Sequence, residues 1–464
     1  MEATSSVRRQ ALYAALQYAG AVLELHRQAR IIPGLVLACR HDNDLVFNRA
    51  YGFANLGAKT KLTPTHLFRV ASHSKWFTST ALFQLIEQGK VALTDPLARH
   101  LPWLGKGAAR HLRHVTIGQV LSHTGGIHRD SVEQAHWTLN GHFLDHGELR
   151  REATRHPHSP GFHGHIKYSN FGYALLGQVI ESITGQSFAD YLHQHILAPL
   201  GLASTHADIT PATKDFHATP HGRLALDGTR PELAHIHTAE FAAATGISST
   251  AADLCHFGAA HWAGNAALLT HASKGLMQRR NPLLKIPPSA RYYGLGVMLS
   301  KVGSWNLIGH SGGFPGFVTL SLVEPKRRLS LSLLTNAIDA PIWALMEDVI
   351  SWIQFFDEHW QSGKLPSAHA QLMGRSECVG HCADVIATGR RLWWVTPMDG
   401  TPQKTATPMT VVGRDKARLG KVPVLGPCDE TLTFQFRRDG RPKSVRLPGH
   451  RLVFRRRLQD AGPA

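Results

Sequence analysis

Apolar residues within 11–25 fall at Leu12, Leu16, Ala19 and Leu23. Steps of four, three and four put them on one face of a helix lying on a core. Gln17 and Glu24 interrupt the run and no small-x-small cleavage site follows, so it reads as a helix of the folded protein and not as an export signal. That predicts a cytoplasmic chain, with the periplasm as the alternative if the segment is an export signal. Pro33 and Gly34 introduce an apolar run over 35–39, a charged turn over 41–44 and a second run over 45–47, the pattern of a β-hairpin. Residues 72–88 carry Phe77, Ala81, Leu82 and Leu85 at helical spacing and stop at Gly89. Leu175, Leu176, Val179 and Ile183 predict a second helix over 171–183, closed by Gly185. Pro211, Pro220 and Pro231 punctuate a polar stretch over 210–240, which predicts an excursion across the surface. From Tyr292 to Thr335 the period shortens to two. Residues 295–299 alternate, 305–308, 317–323 and 329–334 read as neighbouring strands, and a helix follows over 342–356. No segment reaches 18 uninterrupted apolar residues, so no membrane span is expected.

The small, polar, Pro-bearing stretch 362–366 marks a boundary. It divides a larger domain, 1–361, from a C-terminal one, 367–464, whose short alternating segments at 392–395, 433–436 and 452–454 predict a small β-rich module. Composition supports a globular chain: of 464 residues 43% are hydrophobic and 18% charged, which excludes a disordered one. The net charge of +17 is uneven, because residues 374–464 hold 17 Lys+Arg against 8 Asp+Glu. Arg437, Arg438, Arg441, Lys443, Arg446, Arg451 and Arg455 to Arg457 form either a solvated basic face or a surface for an anionic partner. No interleaved aromatics or nucleic-acid-binding motif accompany them, so no nucleic acid is expected. Five scattered cysteines, Cys39, Cys255, Cys378, Cys382 and Cys428, suit a reducing compartment and not a disulfide framework. Cys378 and Cys382 enclose His381 without a second pair at ligand spacing, and His142 and His146 lack the Glu of a paired-His zinc hydrolase. No metal is expected. The histidines at 136, 142, 146, 156, 158, 163 and 165 read as a polar surface loop.

Three patterns suit an activated nucleophile. In Ser72-His73-Ser74-Lys75 a helix that begins at Ser72 places the lysine amine, three residues on, within reach of the serine hydroxyl. The helix N-terminus stabilises developing negative charge; a serine there also commonly serves as a cap. In Tyr168-Ser169-Asn170, preceded by Pro160 and Gly161, a phenol beside an ammonium has its pKa lowered, so that a tyrosinate can take the serine proton. The Asn170 carboxamide can bind a substrate carbonyl or orient Lys75. The alternative is a helix-entry turn with an aromatic in the core. In His310-Ser311-Gly312-Gly313 the glycines let a substrate approach a strand, and a backbone N–H can complete an oxyanion hole; a glycine-rich turn is the plainer reading.

Together with Leu121-Ser122-His123-Thr124-Gly125-Gly126 and Ser249-Thr250-Ala251-Ala252-Asp253-Leu254, these elements run in an order that resembles the serine β-lactamase and penicillin-binding-protein superfamily, in its class C serine-hydrolase branch. The resemblance covers about residues 32–356. It implies an α/β (α+β) fold, a β-lactamase/transpeptidase-like antiparallel sheet flanked by helices beside an all-helical region, and an acyl-enzyme mechanism without a cofactor. It implies Ser72 as nucleophile, Lys75 as its activator, Tyr168 as general base and acid, and Asn170 as a contact of Lys75 and substrate. His310 and Gly312 would line the cleft, with the N–H groups of Ser72 and Gly313 as oxyanion hole. Where β-lactamases have Lys-Thr-Gly and a hydroxyl residue, this chain has His310-Ser311-Gly312 and Gly313. A substrate carboxylate is then weakly held, which favours a small ester or a D-residue peptide over a β-lactam. A β-lactamase, or a non-catalytic relative that binds peptide or cell-wall fragments, remains the alternative.

Overall fold

The run after Pro33 folds as the expected hairpin: β1 (Gly34–His41) and β2 (Asp44–Asn55) pair antiparallel, and Asp42 takes a positive φ of 52° in the turn. The computed structural model describes residues 2–105, 107–156, 166–280, 285–286, 291–398, 401–420 and 429–456. Contacts divide the chain into two units, Ile31–Ile342 and Met1–Arg30 with Trp343–Ala464.

In the larger unit β3 (Thr60–Lys61) extends the hairpin, while β4 (Phe68–Arg69) and β5 (Ser248–Ser249) form a small sheet of their own. After β6 (Lys285–Ile286), the alternating region supplies β7 (Arg291–Tyr293), β8 (Met298–Val302), β9 (Trp305–Phe314), β10 (Phe317–Glu324) and β11 (Leu329–Thr335). The nine-stranded sheet runs β3-β2-β1-β11-β10-β9-β8-β7-β6, antiparallel throughout. Leu35 faces Thr335 in the register that joins the first strand to the last. Every residue of β11 is buried, the mark of a central strand covered on both faces. Helix Ala251–Ala259 lies against it, with the Cys255 thiol 3.4 Å from the carbonyls of Ala38 and Ser330.

The helical region has His73–Glu87 at its centre, buried nearly all round. That burial is tolerated because its hydroxyls find partners: Thr78 donates to the Ala243 carbonyl at 2.6 Å and Ser79 to that of Leu295 at 2.7 Å. Asn170–Thr184 is capped by Ser169, whose Oγ accepts from Gly172 N–H, and ends at Gly185 in the left-handed region. Two expectations are corrected here. The stretch 210–240 is only partly an excursion, since His221 is fully buried with Nδ1 3.1 Å from the Asn336 carbonyl. His136 is not in a surface loop; it is fully buried, 4.1 Å from the Phe143 ring between centroids and 5.4 Å from Phe241. His158, His163 and His165, like Pro160, Gly161 and Cys428, lie outside the described residues.

In the other unit, Glu2–Ala29 buries Leu12, Leu16, Ala19 and Leu23 as the spacing predicts. Tyr18 meets Trp352 of helix Ile342–His359 edge-on at 4.6 Å. The short C-terminal segments belong to a closed eight-stranded barrel: β12 (Gly374–Cys378), β13 (His381–Thr388), β14 (Arg391–Val395), β15 (Thr407–Val411), β16 (Lys416–Leu419), β17 (Thr431–Phe436), β18 (Pro442–Leu447) and β19 (His450–Arg456). A buried ion pair, Arg375 on Asp384 through two bonds of 2.9 and 2.7 Å, is completed by the Tyr18 hydroxyl at 2.9 Å. Those three bonds work against the desolvation cost of the pair, while Arg375 Nη1 is left without a partner; burial together with Asp384 pushes the Tyr18 phenol up. Arg437, Arg438, Arg441, Lys443, Arg446, Arg451 and Arg455 are exposed, with Arg446 directly opposite Arg451 across β18 and β19; the side chains of Arg456 and Arg457 lie outside the described residues. No described helix is long and apolar enough to cross a membrane.

Candidate active site

Ser72 stands at the end of a strained approach. Ala71 before it holds a φ of +51°, a left-handed conformation uncommon for a residue with a Cβ. The Ser72 hydroxyl makes no cap bond and is instead 3.2 Å from Lys75 Nζ. Lys75 is fully buried and donates to Asn170 Oδ1 at 2.6 Å and to the Ala244 carbonyl at 2.7 Å. Asn170 is turned that way because its Nδ2 donates to Asp130 Oδ1 at 2.6 Å, so a chain of bonds runs Asp130–Asn170–Lys75–Ser72. Burial alone would raise the Asp130 carboxyl, but hydrogen bonds from His136, Asn170 and Trp137 hold it below its ordinary value.

The electrostatics differ from the expectation at Tyr168. Burial pushes its phenol well above the usual value, outweighing a hydrogen bond with Ser72 and the nearby Arg129. The ammonium does not oppose this, since Lys75 Nζ lies 4.8 Å over the ring centroid and burial drives the amine itself well below its ordinary pKa, Asp130 opposing the shift and Arg129 adding to it. Both shifts run toward the neutral forms, an amine and a phenol, with burial the largest cause of each.

His310 sits on β9 opposite Ser321 of β10 and is buried. Its Nδ1 is 2.7 Å from the Ser311 carbonyl, an acceptor only, so Nδ1 carries the proton and Nε2 accepts from the Tyr293 hydroxyl at 2.9 Å. Burial, then Lys75, keeps this imidazole well below its usual pKa. Gly312 packs against the approach to Ser72: a Cβ there would lie 2.1 Å from the Val70 carbonyl oxygen. At Gly313 a Cβ would meet nothing within 4 Å.

A cavity of about 420 Å³ gathers Ser72, Tyr168, Asn170, His310 and Gly313, with Ser311 between the last two. Lys75 lies behind its wall. Trp137, Ile166 and Met298 give it apolar surface, and Arg129 and Tyr293 complete it. Nothing in the sequence marks Asp130, Arg129, Tyr293 or the Ala244 carbonyl, since none stands in a motif. His123 stood in one without a role. Its Nδ1 accepts from Ser169 N–H at 3.1 Å and its ring lies 4.2 Å from that of Tyr168, so it fixes the turn that carries Tyr168 and Asn170. Among the described residues, His146, Glu181 and Glu240 bring three potential metal-ligand atoms within 4.8 Å of one another, none of them lining the Ser72 cavity.

The chain is similar to known proteins in sequence and, for one solved structure, in fold. Protein flp of Staphylococcus aureus (strain MW2) is 26% identical over 320 residues, 68% of this chain, which spans only 62% of flp's length. Penicillin-binding protein 4 of Amycolatopsis lactamdurans is 30% identical over 322 residues, 66% of this chain and 81% of that protein. The crystal structure of D-amino acid amidase from Ochrobactrum anthropi SV3 with L-phenylalanine amide superposes with a TM-score of 0.63 at 26% identity, covering 74% of this chain and 99% of the amidase. Residues 21–341 match the model of the Beta-lactamase family, and the chain belongs to that family.

Proposed function

We propose that the chain is a serine hydrolase that cleaves a small, uncharged ester or amide through an acyl-enzyme on Ser72. The observation that carries this reading is the bonding at Lys75. A neutral amine has two hydrogens and one lone pair. Lys75 Nζ donates to Asn170 Oδ1, to the Ala244 carbonyl and, at 3.2 Å, to Ser72 Oγ; once the amine is neutral, the two carbonyl oxygens, which can only accept, keep its two hydrogens and the lone pair is left facing the Ser72 hydroxyl. Lys75 then takes the serine proton as Oγ attacks the substrate carbonyl. Tyr168, kept protonated by burial, relays a proton to the leaving group and is restored from Lys75. The N–H groups of Ser72 and Gly313 receive the oxyanion, and water releases the acyl group by the same route.

The cavity supports the substrate class. Both nitrogens of His310 are committed, so it has no proton to offer a carboxylate, and among the described lining residues no carboxylate awaits an ammonium. Trp137, Ile166 and Met298 suit an apolar acyl group. An N-blocked D-residue amide meets these conditions; the likeness to a D-amino acid amidase supports the amide bond and not the blocked amine.

The test is intact-protein mass spectrometry after a fluorophosphonate probe, with Ser72→Ala as control, beside turnover of p-nitrophenyl acetate, N-acetyl-D-alanyl p-nitroanilide, D-alanyl p-nitroanilide and nitrocefin. Labelling only of Ser72, with the first two substrates turned over fastest, is the expected result. Fast nitrocefin turnover would make the chain a β-lactamase, and absence of both adduct and turnover would make it a binding protein.

For the barrel we propose an anionic partner, because like charges at Arg446 and Arg451 face each other across one ladder, an arrangement that an anion relieves. Retention on heparin is expected to fall in Arg446→Glu with Arg451→Glu by more than in a variant with two Arg→Glu changes elsewhere on the surface. Unchanged elution would reduce the strip to a solvated surface.

A further inference from the structure

We propose that a second cavity, beside β8 and β9, binds a small amphiphilic organic anion, an alkyl or aryl body ending in a carboxylate, phosphate or sulfonate. At about 580 Å³ it is larger than the Ser72 cavity and shares no lining residue with it. That volume is in the range of small-molecule pockets, roughly 300–1,000 Å³. Trp262, Leu299, Leu307 and Ile308 form an apolar wall, suited to a chain or ring and not to a hydrated ion.

Two buried polar groups in the same lining point to the head group. Lys274 is 3% exposed, and its ammonium donates to the carbonyls of Trp262, at 2.9 Å, and Asn265. Two of three N–H bonds are thereby used and one is left over. Ser300 is 9% exposed and its Oγ has no hydrogen-bond partner, a costly state for a buried hydroxyl that a ligand oxygen relieves. At the mouth, Arg280, Lys301 and Lys326 are exposed. The Arg280 guanidinium lies 3.9 Å over the Tyr292 ring and donates to its hydroxyl at 2.5 Å, which holds its charge at the rim. Against these four cations stand two carboxylates, Glu324 in the lining, already accepting from Arg327 N–H, and Glu87, which acts on Lys274 from outside the lining. The surplus is positive and fits an anion. The cavity also abuts the strands of the Ser72 cleft: Ile308 lines it and His310 lines the other, as do Leu299 and Met298, and Tyr292 and Tyr293.

The experiment is isothermal titration of the full-length chain with dodecanoate and, as the cationic counterpart, dodecyltrimethylammonium, each below its micelle concentration. One dodecanoate per chain is expected, with the cation bound at least tenfold more weakly. Leu299→Trp, which fills the cavity, and the exposed pair Lys301→Glu with Lys326→Glu are each expected to weaken dodecanoate at least tenfold. If Leu299→Trp fails to fold, the charge-reversed pair decides. Equal affinity for the two head groups, or undiminished dodecanoate binding in the cavity-filled or charge-reversed variant, overturns the proposal. The readout does not depend on turnover, so it stands or falls apart from the hydrolase reading.

Discussion

Lys75→Met is expected to slow acylation of Ser72 about a thousandfold, within the roughly 10²–10⁴ that a positioned base contributes. The methionine keeps the length of the side chain and removes only the proton acceptor. The measurement is the single-turnover rate of fluorophosphonate labelling against pH. In the parent chain the rate follows the fraction of neutral amine, so it rises with pH through the depressed pKa of Lys75 and then levels. The sign follows from the direction of the shift: burial lowers the pKa of a base, which places the acid limb below the ordinary lysine value of about 10.4. In Lys75→Met the limb disappears, whereas in Tyr168→Phe it persists at a reduced rate. If the limb vanishes only in Tyr168→Phe, the phenol is the base and the assignment of Lys75 is wrong. Asp130→Asn provides a further check. The carboxylate holds the Lys75 pKa up, and a neutral carboxamide still accepts from Asn170, so the limb moves to lower pH while Asn170 keeps its orientation.

What the sequence shows of this site depends on distance along the chain. The relation of Ser72 to Lys75 is one helical turn, so spacing alone brings them together, and the structure has them 3.2 Å apart. Asn170 is legible as the residue just before a helix over 171–183, which the structure starts at Asn170 itself, but its orientation comes from Asp130, 40 residues earlier, which no periodicity reveals. The shift at Tyr168 runs opposite to the expected direction, because sequence shows which charges are neighbours and not how much water has been removed; burial is the largest cause of both shifts. The fold divides similarly. Alternation over 292–335 yields β7 to β11, yet period two does not say which strand closes on which, so the barrel of β12 to β19 appears in the sequence only as scattered strands. The Arg375–Asp384–Tyr18 group joins residues up to 366 positions apart and has no local signal.

Gly312→Ala is expected to damage the site without touching a reacting atom. The added Cβ falls 2.1 Å from the Val70 carbonyl oxygen and 2.6 Å from Thr319 Oγ1, far inside contact, so something must move. The Thr319 hydroxyl can rotate. The Val70 carbonyl cannot easily yield, because it accepts from His73 N–H at 3.2 Å and from His73 Nδ1 at 2.9 Å, while Val70 N–H is tied to the Ile247 carbonyl at 2.9 Å. Overpacking of this kind costs about 1–3 kcal/mol. Part of the displacement passes to Ala71, already at a φ of +51°, and so to Ser72, where a shift of about 1 Å lowers a rate about a hundredfold. The expected result is a lower Tm together with labelling of Ser72 slowed about a hundredfold. Gly313→Ala is the matched control: its Cβ meets no atom within 4 Å, so the parent Tm is expected to be retained. If Gly312→Ala keeps both the parent Tm and the parent labelling rate, close packing of β9 on the approach to Ser72 is not what positions the serine.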